Sequence, residues 1–269
     1  MQTASATDQL ASALPFVGRR KEVSRLKQLH ARRKHVLILG PAGVGKSALL
    51  AHLRGQLPLL LCPRSEHFGE ICDSLEMELG LNAADLKLVQ RKQRLRAALA
   101  GAGKTVVFDG LGWTTPKLSS FLESVMDRVP VWLCARTPHP WDIGHIWPLL
   151  FRFEKIELQP FHLSETRALI KACVEKGCLP SAALGVVDRL QHLAHGLPQI
   201  LGGLIEGLAS GRYHPEDPFE MKLLDLDRRI HELAPMATFA KANLMIKKMA
   251  LPVRERKPPT LFARHPSAP

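Results

Sequence analysis

The stretch His35-Val36-Leu37-Ile38-Leu39-Gly40-Pro41-Ala42-Gly43-Val44-Gly45-Lys46-Ser47 constrains what this chain can fold into more than any other. A short apolar run stops at a glycine. A flexible loop follows, and Lys46-Ser47 opens into Ala48-Leu49-Leu50, which are good helix formers. The order is strand, loop, helix, with Gly40, Gly45, Lys46 and Ser47 at the G-x-x-x-x-G-K-[ST] spacing. Backbone N–H groups from Gly43 to Ser47 are expected to point inward at phosphates. The glycines let the backbone approach because no Cβ stands in the way, and the helix start adds the positive end of its dipole. Residues Gly40, Pro41, Ala42, Gly43, Val44, Gly45, Lys46, Ser47 and Ala48 are therefore expected to hold a nucleoside triphosphate. Lys46 reaches the β- and γ-phosphates, and the Ser47 hydroxyl binds Mg²⁺.

The rest of the chain can support a core around this loop. Its 269 residues are 46% hydrophobic, enough for one large domain with a smaller one attached. No apolar run approaches the roughly 20 residues that span a bilayer, so no membrane partner is expected. The first residues lack the basic-then-apolar order of a signal peptide. Five cysteines form no paired framework, which fits a reducing cytoplasm. The net charge is +12, concentrated from Arg19 to Lys34, from Arg91 to Arg96, and from Lys241 to Arg264. Each cluster alone reads as a solvated helix face or tail. Three in one chain point toward a polyanion, plausibly DNA.

Taken in order, residues 1–14 read as a disordered leader, and a helix with Val23, Leu26 and Leu29 at helical spacing is expected after Pro15 to Glu22. Buried strands are expected at 35–39, 57–62, 105–109 and 129–137, with a last one leading out of Phe151 to Leu158. Helices are expected at 46–54, 66–79, 84–100 and 116–127. Gly101 to Thr105 imitates a second phosphate loop, but Ala98 stands where its first glycine belongs and no strand precedes it. It reads as a turn into the next strand. That strand ends in Asp109, the expected Mg²⁺ partner of the loop, or else a turn aspartate before Gly110. Ligands of open parallel sheets sit beyond the carboxyl ends of the strands, so Arg136 and Thr137 are expected to sense the γ-phosphate or the attacking water, or else to form a surface turn before Pro138. After Pro160 the pattern turns all-helical. Ser164 reads as a helix cap, Ser181 to His195 as a second helix, and Pro198 opens a third to Ala209. A further helix is expected at 218–233, and a basic, proline-rich tail at 251–269.

This order of elements resembles the AAA+ superfamily of ATPases and its STAND relatives over residues 15–210. Phe16-Val17-Gly18-Arg19 is similar to the F-V-G-R box whose backbone lines the adenine in that family. Gly40 to Ser47 resembles the Walker A motif and Val106 to Asp109 the Walker B. Arg136 sits at the sensor-1 position. Leu149 to Glu154 is similar to a segment whose arginine, here Arg152, enters the neighbouring subunit's ATP site; by itself Arg152 also reads as a salt-bridging or stacking arginine. Gly196-Leu197-Pro198 resembles the lid turn that packs on the adenine. The resemblance implies an α/β P-loop NTPase with a five-stranded parallel sheet flanked by helices, followed by a small all-α lid domain. It divides the chain into 15–160, a lid at 161–211, a helical extension at 212–250 and the tail.

Two positions depart from the family pattern. Gly110 stands where a second acid orients the attacking water, and Gln199 stands where the lid often carries an arginine. Glu66, just past the second strand, could take the water-orienting role. The leading expectation is an ATPase that uses ATP and Mg²⁺ to assemble as a homo-oligomer on DNA. A slow, STAND-like switch and a scaffold that binds ATP without splitting it are the alternatives, favoured by Gly110 and Gln199.

Overall fold

Five apolar runs become five parallel strands: β1 (His35–Leu39), β2 (Leu59–Cys62), β3 (Thr105–Phe108), β4 (Val131–Ala135) and β5 (Phe153–Glu157). Their order is β2-β3-β4-β1-β5, with every pair parallel. The computed structural model describes residues 14–62, 68–81 and 86–230. The chain divides into two units, Met1–Leu224 and Asp225–Pro269. In the second, the described residues 225–230 are helical, and Asp225 pairs with Arg228 and Arg229.

Strand side chains alternate between the two faces of the sheet. Val36 and Ile38 of β1 join one core with Leu26 and Leu29 of α1 (Arg20–Ala31) and Leu49, Leu50 and Leu53 of α2 (Lys46–Arg54). Leu37 and Leu39 join the opposite core, built by α3 (Phe68–Leu79), α4 (Leu88–Ala102) and α5 (Pro116–Met126). Helices on both faces explain why β3 and β4 read as continuous apolar runs, buried at every residue. The edge strand β5 instead exposes Glu154, Lys155 and Glu157, and charges on an edge discourage strand addition. After a short α6 (Pro140–Ile143) and β5 come α7 (Leu163–Glu175), α8 (Val187–Ala194) and α9 (Pro198–Ala209), and residues 218–230 are also helical. Helices α7, α8 and α9 share a separate core that includes Leu169, Ile170, Leu190, Leu201, Leu204 and Ile205.

Several boundaries differ from the sequence reading, each for a local reason. The second strand begins at Leu59, because Leu57 still bonds back to the Leu53 carbonyl at 2.8 Å. The fourth begins at Val131, because the Val129 N–H closes α5 on Val125. α4 absorbs Gly101 and stops at Gly103, whose φ of 64° is the left-handed value that ends helices. α7 is capped at His162 rather than Ser164, because the Glu165 carboxylate accepts the His162 N–H at 3.0 Å. The helix expected from Ser181 is a 3₁₀ turn (Ser181–Val186) followed by α8, broken where Val186 leaves helical geometry. Residues 1–13, the tail and Lys241 to Arg264 lie outside the described residues.

Two histidines stand at the amino ends of the strands. His35 Nδ1 accepts the Val131 N–H at 3.1 Å, and His30 Nδ1 lies 3.0 Å from Thr105 Oγ1. Burial, then the Arg152 and Lys34 charges, lower the His35 pKa against an opposing pull from Asp127; burial, then Arg33, lower that of His30. The unfolded chain therefore binds these protons at higher pH than the folded one. Stability is full above about pH 6.5 and falls as pH drops through the depressed folded values. We predict that the urea midpoint declines between about pH 7 and pH 5. His35→Asn, which keeps an acceptor near Nδ1, should make the decline shallower; an unaltered decline in that variant contradicts the assignment.

Candidate nucleotide site

The loop from Gly40 to Ser47 leaves β1 and enters α2. Three of its glycines take positive φ: 151° at Gly40, 78° at Gly43 and 97° at Gly45. Gly40 is the least replaceable, since a Cβ there would stand 2.8 Å from the Leu158 backbone oxygen and 2.9 Å from Val44 Cγ1. Lys46 Nζ donates to the Gly40 and Pro41 carbonyls at 2.7 and 2.9 Å. Ser47 and Ala48 are exposed on the first turn of α2. The loop thus turns carbonyls toward the protein and keeps a lysine folded along it. That arrangement fits a polyphosphate held by inward N–H groups, with Mg²⁺ at Ser47 and Asp109.

The carboxyl ends of β3 and β4 bring charges to the same place. Asp109 follows β3, and Arg136 follows β4, which lies between β3 and β1. Burial draws Lys46 below the usual lysine range, with Arg136 adding to the shift and Asp109 opposing it. Sequence reasoning placed Cys134 in the core and stopped there. It is fully buried, and burial followed by the nearby Asp109 charge pushes the thiol upward. Such a thiol stays protonated. Gly110 follows with φ of 73° and no acid.

A strap and a helix end close the loop from outside. The strap is 14–19. Leu14 packs on Gly202 of α9, Phe16 stacks on His52 of α2 at 4.0 Å between ring centroids, and Gly18 abuts the Glu165 carboxylate of α7. Val17 packs against the helical core. Arg19 is 5% exposed and donates to the Val44 carbonyl at 3.0 Å, while its guanidinium lies 5.0 Å from the Phe161 ring centre. The second closure is the start of α9. The Gln199 N–H donates to the Gly43 carbonyl at 3.1 Å, and Pro198 lies against Gly45. Gly196 makes this possible, because a Cβ there would meet the Phe161 oxygen at 2.5 Å.

Lys46 and Ser47 thus belong to the loop and the helix it opens, Pro198 abuts it, Asp109 and Arg136 stand close enough for their charges to act on Lys46, and Phe16 packs on the following helix through His52. Arg152 does not join them. It precedes Phe153, which pairs with His35 at the start of β1, whereas the loop begins past Leu39. Five residues of strand separate the two, roughly 16 Å. Arg152 instead donates to Asp127 at 2.7 Å, so within one chain it cannot touch the loop. Glu66 lies outside the described residues.

Arg19 is the residue that sequence reasoning undervalued. The signal was its place in the F-V-G-R box, read for its backbone alone. We predict that Arg19→Ala raises the dissociation constant for Mg-ATP at least tenfold and lowers stability by about 2 kcal/mol, the scale of a hydrogen bond to a charged group. Arg19→Lys should recover part of both. Calorimetric titration that finds wild-type affinity in the alanine variant rules out this role.

No family model and no curated protein sequence matches the chain. Solved structures do. The Walker-type ATPase PABY2304 of Pyrococcus abyssi is similar over 87% of this chain and 76% of its own, with a TM-score of 0.60 at 15% identity. Cdc6p of Pyrobaculum aerophilum matches over 76% and 65%, with a TM-score of 0.59 at 12% identity. Orc1 of Aeropyrum pernix, solved in complex with DNA, matches over 79% and 66%, with a TM-score of 0.56 at 13% identity. The chain thus spans about two thirds of the Cdc6p and Orc1 chains. At such identities the likeness concerns the fold alone, and together with the sheet order and the phosphate loop it identifies the chain as having the α/β P-loop NTPase fold.

Proposed function

We propose that this protein is an ATPase that binds Mg-ATP between its sheet and a helical lid and uses binding, with slow hydrolysis, to assemble on DNA. The observation that carries the reading is the seat of α9 on the phosphate loop, through Gln199 N–H and the Gly43 carbonyl. A ligand that fills the loop meets the lid at once, so occupancy and lid position are linked.

In this proposal the α/β part spans 15–160, the lid 161–211 and an extension 212–250. Lys46 neutralises phosphate charge, while Ser47 and Asp109 hold Mg²⁺, which offsets the charge that develops in phosphoryl transfer. Phe16 and Val17 flank the base together with Pro198. Arg136 is placed to contact the terminal phosphate. Arg152, too far from its own loop, serves a neighbouring copy once it leaves Asp127. An exposed pair of that kind is worth only about 0–1 kcal/mol, so it is a parking place and not a lock. Glu66 remains the proposed water-orienting carboxylate. The net charge of +12 and the place proposed for the protein, the cytoplasm, both suit a nucleic-acid partner. Among the described residues, no helix is long and apolar enough to cross a membrane.

A second reading, a nucleotide-held switch or a scaffold that does not hydrolyse ATP, is favoured by Gly110 and Gln199, which remove two groups used to position water and phosphate. Turnover decides between the two. We predict that Lys46→Ala loses Mg-ATP binding by at least a hundredfold in calorimetry. Wild-type protein should sediment as a larger species with Mg-ATP than without, and Arg152→Ala should remain small in both. A wild-type monomer in both conditions defeats the trans role of Arg152. Binding without any turnover, with or without DNA, transfers the case to the second reading.

A further inference from the structure

Parallel topology sends the turns that enter the strands to the edge of the sheet opposite the phosphate loop. Before β1 these carry Arg32, Arg33 and Lys34, before β3 Lys104, and before β4 Arg128. The acid in these turns is Asp127, and Arg152 already holds it.

Beside Arg128 lies a groove of about 570 Å³, lined by Val89, Lys92, Gln93, Arg96 and Ala97 of α4 and by Arg128 itself. Its lining holds three cations and no carboxylate. Arg33 extends the track, since its guanidinium donates to the Arg128 carbonyl at 3.5 Å. Packing directs these side chains. Lys92 Nζ sits 5.4 Å from the centre of the Phe68 ring, and Arg96 Nε is enclosed without an acceptor among the described residues. Arg91, one residue from Lys92 on the same helix, behaves differently: Glu76 and Asp73 both accept from it. The basic run that looked uniform in sequence is thus sorted by the fold. Arg91 is structural, whereas the charges of Lys92, Arg96, Arg128 and Arg33 meet no carboxylate among the described residues. The potential of this edge is also felt by His30 and His35, whose protonation Arg33, Lys34 and Arg152 oppose.

We infer that this groove at the amino edge of the sheet is the seat of the phosphodiester backbone of duplex DNA, on the side opposite the nucleotide. The inference deepens the DNA part of the proposed function and rests on it. Lys92 and Arg96 stand one helical turn apart, about 6 Å along α4, and Arg128 and Arg33 continue the line from two other turns. Four cations that each neutralise one phosphate give a log–log salt slope of about −4. Because one subunit builds the whole groove, contact with DNA does not require assembly.

Fluorescence anisotropy with a labelled duplex of random sequence tests this on the full chain across a salt series. Wild type should bind with the steep slope. The double variant Arg96→Ala with Arg128→Ala should lose at least tenfold in affinity at low salt, with a slope shallower by about 2. Arg96→Lys with Arg128→Lys should restore both, which separates lost charge from lost folding. Lys171→Ala, on α7, should match wild type. A double alanine variant with wild-type affinity and slope overturns the groove while leaving DNA as partner. No duplex binding by wild type at low salt, or binding only to phosphatidylserine vesicles, overturns both; the ATPase reading is then judged by nucleotide binding in Lys46→Ala.

Discussion

The site rests on how the carbonyls of the phosphate loop are satisfied. Backbone oxygens need donors, and four in this loop have protein donors from three parts of the chain. Lys46 serves Gly40 and Pro41, the Gln199 N–H serves Gly43, and Arg19 serves Val44. Lys46 is the donor that can be reassigned, because a charged phosphate oxygen is about twice as strong a partner as a neutral carbonyl. Arg19 and Gln199 bind the same loop to the strap and to α9. The loop is therefore a joint between three segments.

That joint explains the oddities of backbone around it. Arg19 itself takes a left-handed φ of 58°, unusual outside glycine, at the start of α1. The guanidinium that results is buried between Val44 and Phe161. Phe161 in turn is tied to the lid, its N–H to the Gly196 carbonyl at 2.7 Å and its carbonyl to Gln191 Nε2 at 2.8 Å. Movement of the helical part is thereby felt at Val44 through Phe161 and Arg19, and at Gly43 through Gln199.

Much of this was legible in the sequence where a short pattern dictates a backbone. The phosphate loop, α1, α2 and the five strands followed from apolar runs and glycine spacing, because those patterns act locally. What was not legible depended on side chains distant in sequence. Arg91 and Arg96 look alike in the chain, yet one meets Glu76 and the other does not. Cys134 looked like filler until β3 and β4 set it beside Asp109. Arg152 carried the same motif in either case, and the register of β5 on β1 shows which end of the sheet it occupies. Ser164 looked like the cap, and the longer reach of Glu165 moved the helix start to His162.

The sheet separates two chemistries. Its carboxyl edge carries the loop, Asp109 and Arg136, and its amino edge carries Arg33, Arg128 and Arg152. The α5–β4 turn joins the second set, with Asp127 holding Arg152 and Arg128 lining the groove. The central claim, that the loop and the lid form one nucleotide site, is tested most directly by amide hydrogen exchange with and without Mg-ATP. The account predicts that protection rises together in 43–47 and 197–201, and that Lys46→Ala abolishes both changes. Protection confined to the loop, with the start of α9 unaffected, would contradict it.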